Sequence, residues 1–118
     1  MLNSNIYNVL VTGSNGQLGS EIKELASKYS YNFFFTDRNN INVIINCAAY
    51  TAVDKAQSDE INADLINRKA VKKLALVSQE LNIKLIHIST DYVFDGKNFK
   101  PHCEEFQTNP QSIYGKTK

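Results

Sequence analysis

Cysteine is scarce in this chain: Cys47 and Cys103 are the only two among 118 residues. Cys47 falls in an apolar run and Cys103 in a polar one, so two free thiols in a reducing cytoplasm are expected rather than a disulfide scaffold. No apolar run approaches the roughly 20 residues of a membrane span. The first eight residues hold no basic stretch followed by an apolar one, so no secretory leader is read there. No charge of one sign dominates. The formal net charge is +1, which leaves no global field to draw in nucleic acid or an anionic membrane. Repeats and low-complexity segments are also missing. What remains is ordinary for a globular protein, 42% hydrophobic and 21% charged, with the length of one domain. Such a domain buries roughly two-thirds of its unfolded surface, enough for a real core.

Apolar runs alternate with helical spacing along the chain. Tyr7 to Thr12 is β-branched, apolar and stopped by Gly13, which reads as a buried parallel strand. From Gln17 to Tyr29 the spacing turns helical, with Leu18, Ile22, Leu25 and Ala26 on one face. Asn32 to Thr36 and Val43 to Cys47 read as strands. Ile61 to Leu81 reads as one long helix, with Ile61, Leu65, Ile66, Val71, Leu74, Val77, Ser78 and Leu81 on or near its buried face. Lys84 to Ser89 is the next strand, and Asp95 to Pro110 is loop. Ser112 can cap a final helix. This alternation predicts an α/β fold, a Rossmann-like doubly wound parallel sheet.

One connection is too short for that fold. Only Asp37 to Asn42 separate two of the strands, and six extended residues reach at most about 20 Å. A five-residue strand is already about 17 Å long, and a parallel crossover normally takes a dozen residues or more. Either the two strands pair antiparallel or a βα segment near 38–42 is missing from this sequence. The second is favoured, because parallel crossovers are the rule in such sheets.

Three of the five glycines stand where the first strand becomes a helix, in Gly13-Ser14-Asn15-Gly16-Gln17-Leu18-Gly19. Gly13 would permit a tight turn, Gly16 close approach of backbone to a pyrophosphate, and Gly19 close helix–strand packing. The helix start offers free N–H groups and a positive dipole end to phosphate. Asp37 lies 18 residues past Gly19, near the spacing of about 20 for a carboxylate that binds a ribose 2′-hydroxyl. Arg38 follows and could instead meet a 2′-phosphate, so NADH and NADPH both stay open. Ala48 and Ala49 are small where a nicotinamide ribose needs room. Ser89 and Thr90 end a strand on the side where open α/β sheets bind ligands.

Tyr114 and Lys118 are four apart on a helix and face one way. A neighbouring ammonium favours a phenolate, which suits a tyrosine to proton transfer at a carbonyl oxygen. The spacing alone is common by chance; its position after the other parts is what counts. His87, between Ile86 and Ile88, reads as a core or helix-facing histidine. His102, Cys103, Glu104 and Glu105 lack the paired spacing of a zinc site, so no metal site is read. Arg68, Lys69, Lys72 and Lys73 read as a solvated helix face.

Together these residues resemble the extended short-chain dehydrogenase/reductases, and more closely the dTDP-4-dehydrorhamnose reductase family. The matching stretches are Val9 to Glu21, Val43 to Ala56, Ile88 to Gly96 and Asn109 to Lys118. The resemblance implies NAD(P)H-dependent reduction of the C4 keto group of a dTDP-linked 6-deoxy-4-ketohexose, giving dTDP-L-rhamnose. It implies a catalytic set of Thr90, Tyr114 and Lys118. It implies a cofactor lined by Gly16, Gln17, Leu18, Asp37, Ala48, Ala49 and Tyr50, with Tyr114 and Lys118 touching it as well. It implies a sugar contact from Thr90 and Asp91, and Asn67 matches an asparagine near the active site in that superfamily. The expected partner is a nucleotide-sugar substrate, with a homodimer as the candidate assembly. Family members carry a longer stretch between the equivalents of Arg38 and Ile41. They also continue far beyond the Tyr–Lys helix, so the chain is expected to be a partial enzyme, inactive by itself. Two other readings share these motifs: a nucleotide-sugar epimerase or dehydratase, and a non-catalytic NAD(P)-binding regulatory module.

Overall fold

The computed structural model describes residues 6–35 and 41–118. Its contacts divide the chain into two units, Met1–Ala49 with Lys73–Ile88, and Tyr50–Lys72 with Ser89–Lys118.

The first unit is a parallel sheet. Strands β1 (Asn8–Thr12), β2 (Asn32–Phe34), β3 (Val43–Asn46) and β4 (Lys84–His87) lie in the order β2-β1-β3-β4. All three pairings are parallel, which excludes the antiparallel alternative. Val9 and Val11 of β1 and Ile44 of β3 are buried. Each such side chain contributes about 1.5–3 kcal/mol when taken fully out of water. At the base of the sheet, Asn32 donates through Nδ2 to Asn8 Oδ1, and the Asn8 backbone N–H donates to Asn42 Oδ1, both at 3.0 Å.

The register revises the length argument between β2 and β3. Phe34 pairs with Leu10, and Val43 pairs with Val9 on the other side of β1. The two strand ends are therefore separated by about two strand spacings, roughly 10 Å, and one residue along the sheet. No descent of a full strand is needed, so the shortness of this link does not by itself require a missing segment. Thr36, Asp37 and Arg38, and with them the expected gap, lie outside the described residues.

Helix α1 (Gln17–Leu25) follows β1 and ends in a tighter turn, Ala26–Lys28. The other helices are α2 (Val53–Ala56), α3 (Glu60–Asp64), α4 (Val71–Glu80) and α5 (Ile113–Thr117). Helix α4 stops at Asn82, whose φ of 54° is left-handed. There Ile83 N–H reaches back to Ser78 O at 2.7 Å and Asn82 N–H to Gln79 O at 3.2 Å, the paired bonds that close a helix before a turn.

The single helix expected from Ile61 to Leu81 is interrupted. Between α3 and α4, Leu65–Ala70 form a wide π turn. A π turn takes in an extra residue and rotates the face that follows. The expected face is only partly the buried one. Ile61, which precedes the wide turn, is 76% exposed and Leu81 61%, and Leu65, Ile66 and Val77 are exposed too. Val71 and Leu74 are half-buried and Ser78 is buried, as expected, and Ala63 and Asn67 also turn inward. The second unit builds its core from Ala56, Ala63 and Tyr114, with Tyr50, Val53 and Ile113 packed around them. Helix α2 was not expected: its four residues are too few to show a period.

Candidate active site

The cradle of the first unit is shaped by side chains that are not there. Gly13 has φ +68°, and a Cβ on it would stand 2.6 Å from Ala48 N. A Cβ on Gly19 would stand 2.3 Å from Gly13 O. These two glycines allow the turn to close on β3 and α1 to close on the turn. Gly16 is different: the nearest atom to a Cβ there is Gly13 O at 3.3 Å. Its N–H donates to Gly13 O at 3.0 Å, and its carbonyl accepts from Ser20 N–H at 2.9 Å. Gly16 caps α1 with no side chain, and no acidic residue stands in the first turn. The leading N–H groups therefore have no local carboxylate or hydroxyl acceptor, and the helix dipole favours an anion there. A pyrophosphate fits this donor set.

A polar chain crosses the strand ends beside the cradle. Thr12, Asn46 and His87 share one register across β1, β3 and β4. Thr12 Oγ1 donates to Asn46 Oδ1 at 2.6 Å, and Ala48 N–H donates to the same oxygen at 3.3 Å. Two donors on that atom assign the amide, so Asn46 Nδ2 donates to His87 Nδ1 at 3.1 Å. His87 then carries its proton on Nε2 when neutral. Cys47 and Cys103 are free, and burial pushes the Cys47 thiol up from its ordinary value.

The second unit carries the hydroxyl and the Tyr–Lys pair. Thr90 caps a short turn, Asp91–Val93. Its hydroxyl donates to Asp91 Oδ1 at 3.1 Å and accepts from Tyr92 N–H at 3.3 Å. Ser112 caps α5 as expected, accepting from Gly115 N–H at 3.1 Å. Tyr114 is buried, and its ring meets the Tyr92 ring edge-on at 5.5 Å. A Cβ on Gly115 would stand 2.2 Å from Tyr92 O, so only glycine lets α5 lie against that carbonyl. Burial lowers the pKa of the Lys118 ammonium from its ordinary value, because a charge is less stable out of water. Tyr50 donates through its hydroxyl to Asp59 Oδ2 at 3.1 Å. Burial first, and then this carboxylate, raise the Tyr50 pKa.

A cavity of about 740 Å³ opens beside this turn, lined among others by Asp91, Tyr92, Phe94, His102 and Ser112. The His102 ring stacks on Phe94 at 4.0 Å and meets Phe106 edge-on at 5.0 Å. Those contacts account for His102 as part of an aromatic stack.

Residues 34–118 match the family model described as the RmlD substrate binding domain. The chain belongs to that family. Among curated relatives, a dTDP-4-dehydrorhamnose reductase of Sinorhizobium fredii is 40% identical over 124 residues, covering 92% of this chain and 42% of the relative. A dTDP-4-dehydrorhamnose reductase of Escherichia coli is 34% identical over 131 residues, covering 94% of this chain and 44% of the relative. Among solved structures, a dTDP-4-dehydrorhamnose reductase from Bacillus anthracis in complex with NADP has a TM-score of 0.87 at 32% identity, covering 98% of this chain and 47% of that one. The chain thus spans less than half the length of these relatives. The Sinorhizobium match also uses more residues than this chain supplies. With 92% of 118 being about 109, some 15 of its 124 positions have no counterpart here.

For this member of the RmlD substrate binding domain family, each unit gathers its own part of the expected set. Gly13, Gly16, Gln17, Leu18, Gly19, Ala48 and Ala49 fall in the first unit, and Tyr50, Thr90, Asp91, Tyr114 and Lys118 in the second. Asp37 and Arg38 lie outside the described residues. Sequence reasoning passed over Asn46, Tyr92, Gly115 and Thr117. Asn46 gave one signal, a polar residue inside the apolar run Val43 to Cys47.

Proposed function

We propose that the full-length protein reduces the C4 keto group of a dTDP-linked 6-deoxy-4-ketohexose with NADPH or NADH, giving dTDP-L-rhamnose. The observation that carries this reading is α5. It presents a buried tyrosine with a lysine four residues on and is capped and packed within the unit that also holds Thr90. The uncapped glycine turn before α1 supports a dinucleotide cofactor, as does NADP in the Bacillus anthracis relative.

Gly16, Gln17 and Leu18 hold the pyrophosphate by backbone N–H groups, and Gly13 and Gly19 keep that turn closed. Ala48, Ala49 and Tyr50 line the nicotinamide ribose. Asp37 takes the adenosine ribose 2′-hydroxyl, with Arg38 able to meet a 2′-phosphate, so both cofactors are used with modest preference. When bound, the nicotinamide would supply the hydride for the carbonyl carbon. Tyr114 gives the phenolic proton to the carbonyl oxygen, so the product is an alcohol and Tyr114 is left as a phenolate. Lys118 stabilises that phenolate as a cation and holds the nicotinamide ribose. Thr90 turns its hydroxyl from Asp91 to the same substrate oxygen, and Asp91 binds the sugar. A βα segment near 38–42 is absent from this sequence relative to the family; the unmatched positions in the Sinorhizobium comparison support this.

In the full-length protein, Tyr114→Phe should lower kcat about 10²–10⁴-fold, the usual worth of general acid catalysis, with cofactor affinity nearly unchanged. Native kcat in that variant, with chemistry rate-limiting, overturns the assignment. Stoichiometric consumption of NAD(P)H separates this reading from an epimerase, a dehydratase or a regulatory module, none of which consumes it.

A further inference from the structure

Helix α5 has five residues, too few to hold a shape in water unaided. Its last turn needs an anchor, and a buried hydroxyl stands there. Thr117 is 5% exposed, and its Oγ1 donates to Tyr114 O at 2.9 Å. The same oxygen accepts from Asn67 Nδ2 at 3.4 Å. Asn67 is 2% exposed and sits in the wide turn Leu65–Ala70. Its amide grips the Tyr50 backbone from both sides: Oδ1 accepts from Tyr50 N–H at 2.8 Å, and Nδ2 donates to Tyr50 O at 3.2 Å. Both Nδ2 hydrogens and the single Thr117 hydroxyl hydrogen are thereby used.

We propose that Thr117 is a positioning residue for the Tyr114–Lys118 pair. Its hydroxyl ties the carbonyl of Tyr114 to the Asn67–Tyr50 clamp and so sets the turn from which Lys118 projects. This rests on the roles given to Tyr114 and Lys118 under Proposed function. The competing explanation is that Thr117 is only a β-branched filler of a tight space. The two differ in which replacement is tolerated. Thr117→Val keeps the shape and loses both hydrogen bonds, whereas Thr117→Ser keeps the bonds and loses a methyl group.

The test is steady-state kinetics of the full-length protein. Thr117→Val should lower kcat about 10- to 100-fold, the scale on which a small misplacement of a catalytic group acts, with KM for the nucleotide sugar within about threefold. Thr117→Ser should restore native kcat. A native kcat in Thr117→Val, or a Thr117→Ser protein as impaired as Thr117→Val, overturns the proposal. Should Thr117→Val fail to fold, Thr117→Ala removes the hydroxyl without pressing a methyl on the Asn67 amide and must show the same loss. Tyr114→Phe is measured alongside. If it keeps native kcat, the reading of the whole site fails. If it loses kcat while Thr117→Val does not, only the role of Thr117 fails.

Discussion

The turn around Gly13, Gly16 and Gly19 is made by leaving side chains out, whereas the ground around Tyr114 is made by packing them in. In the first, backbone meets backbone at Gly13 and Gly19 at distances that no Cβ would permit, and the helix that follows starts with no side-chain cap on its peptide N–H donors. In the second, Ser112, Thr117, Asn67 and Tyr92 position one short helix by hydrogen bonds and ring contact. On the function proposed above, a backbone site of this kind would recognise a feature that every dinucleotide shares and would tolerate change at exposed Gln17 and Leu18. A side-chain site would direct one phenol and one ammonium, and its errors would fall on rate. Substitutions in the two places should therefore separate cleanly into loss of binding and loss of turnover.

The largest effect should come where the two styles meet in one residue type. Gly13→Ala places a Cβ 2.6 Å from Ala48 N at a φ of +68°, adding backbone strain to overpacking, roughly 1–3 kcal/mol for each. Gly96 has φ +72° with nothing within 4 Å of a Cβ, so Gly96→Ala meets the strain alone. Chemical denaturation should show Gly13→Ala destabilised by about 2 kcal/mol or more beyond Gly96→Ala. Equal losses would mean that the turn closes on β3 less tightly than the geometry requires.

Gly16→Val should sharpen the contrast by leaving the fold and removing the ligand. A Cβ there lies 3.3 Å from Gly13 O, a tight contact but looser than at Gly13 or Gly19, so the fold should lose less stability than in Gly13→Ala. Titration with NADPH and NADH should show affinity lowered tenfold or more, about 1.4 kcal/mol. Unchanged affinity would move the pyrophosphate away from this turn.

Asn46→Leu tests whether the first unit also depends on side chains. It removes the acceptor of the Thr12 hydroxyl and of Ala48 N–H and the donor to His87 Nδ1, and each hydrogen bond lost costs about 0.5–1.5 kcal/mol. A loss near 2 kcal/mol in denaturation is expected, and His87→Phe in the same background should recover part of it. Additive losses in the double variant would deny that the three residues act as one chain.

The smallest effect concerns Lys118. Burial lowers its pKa in the folded protein, so the unfolded chain binds more protons in the window just below the ordinary lysine value of about 10.4. Stability should rise slightly as pH climbs through that window, and Lys118→Met should flatten the rise. An identical slope in both proteins would show that Lys118 stays hydrated.

Much of this was legible in the residues. Runs such as Val9 to Thr12 and Val43 to Asn46 form strands because β-branched side chains suit a pleated sheet, here with one face buried and the other half-buried. The glycine turn was readable because only glycine tolerates those contacts, and Ser112 because a hydroxyl three residues before Gly115 can take its N–H. The long helix was misread because a period of 3.6 assumes an unbroken spiral, and the wide turn at Leu65–Ala70 interrupts it. Local chemistry thus determined strand, turn and cap, since each depends on residues close in sequence. Tertiary structure alone decided that Asn46 would join Thr12 to His87, and that Asn67 would reach Thr117, 50 positions away. Those pairings depend on which strands and helices become neighbours, and no spacing along the chain encodes a hydrogen bond made across the fold.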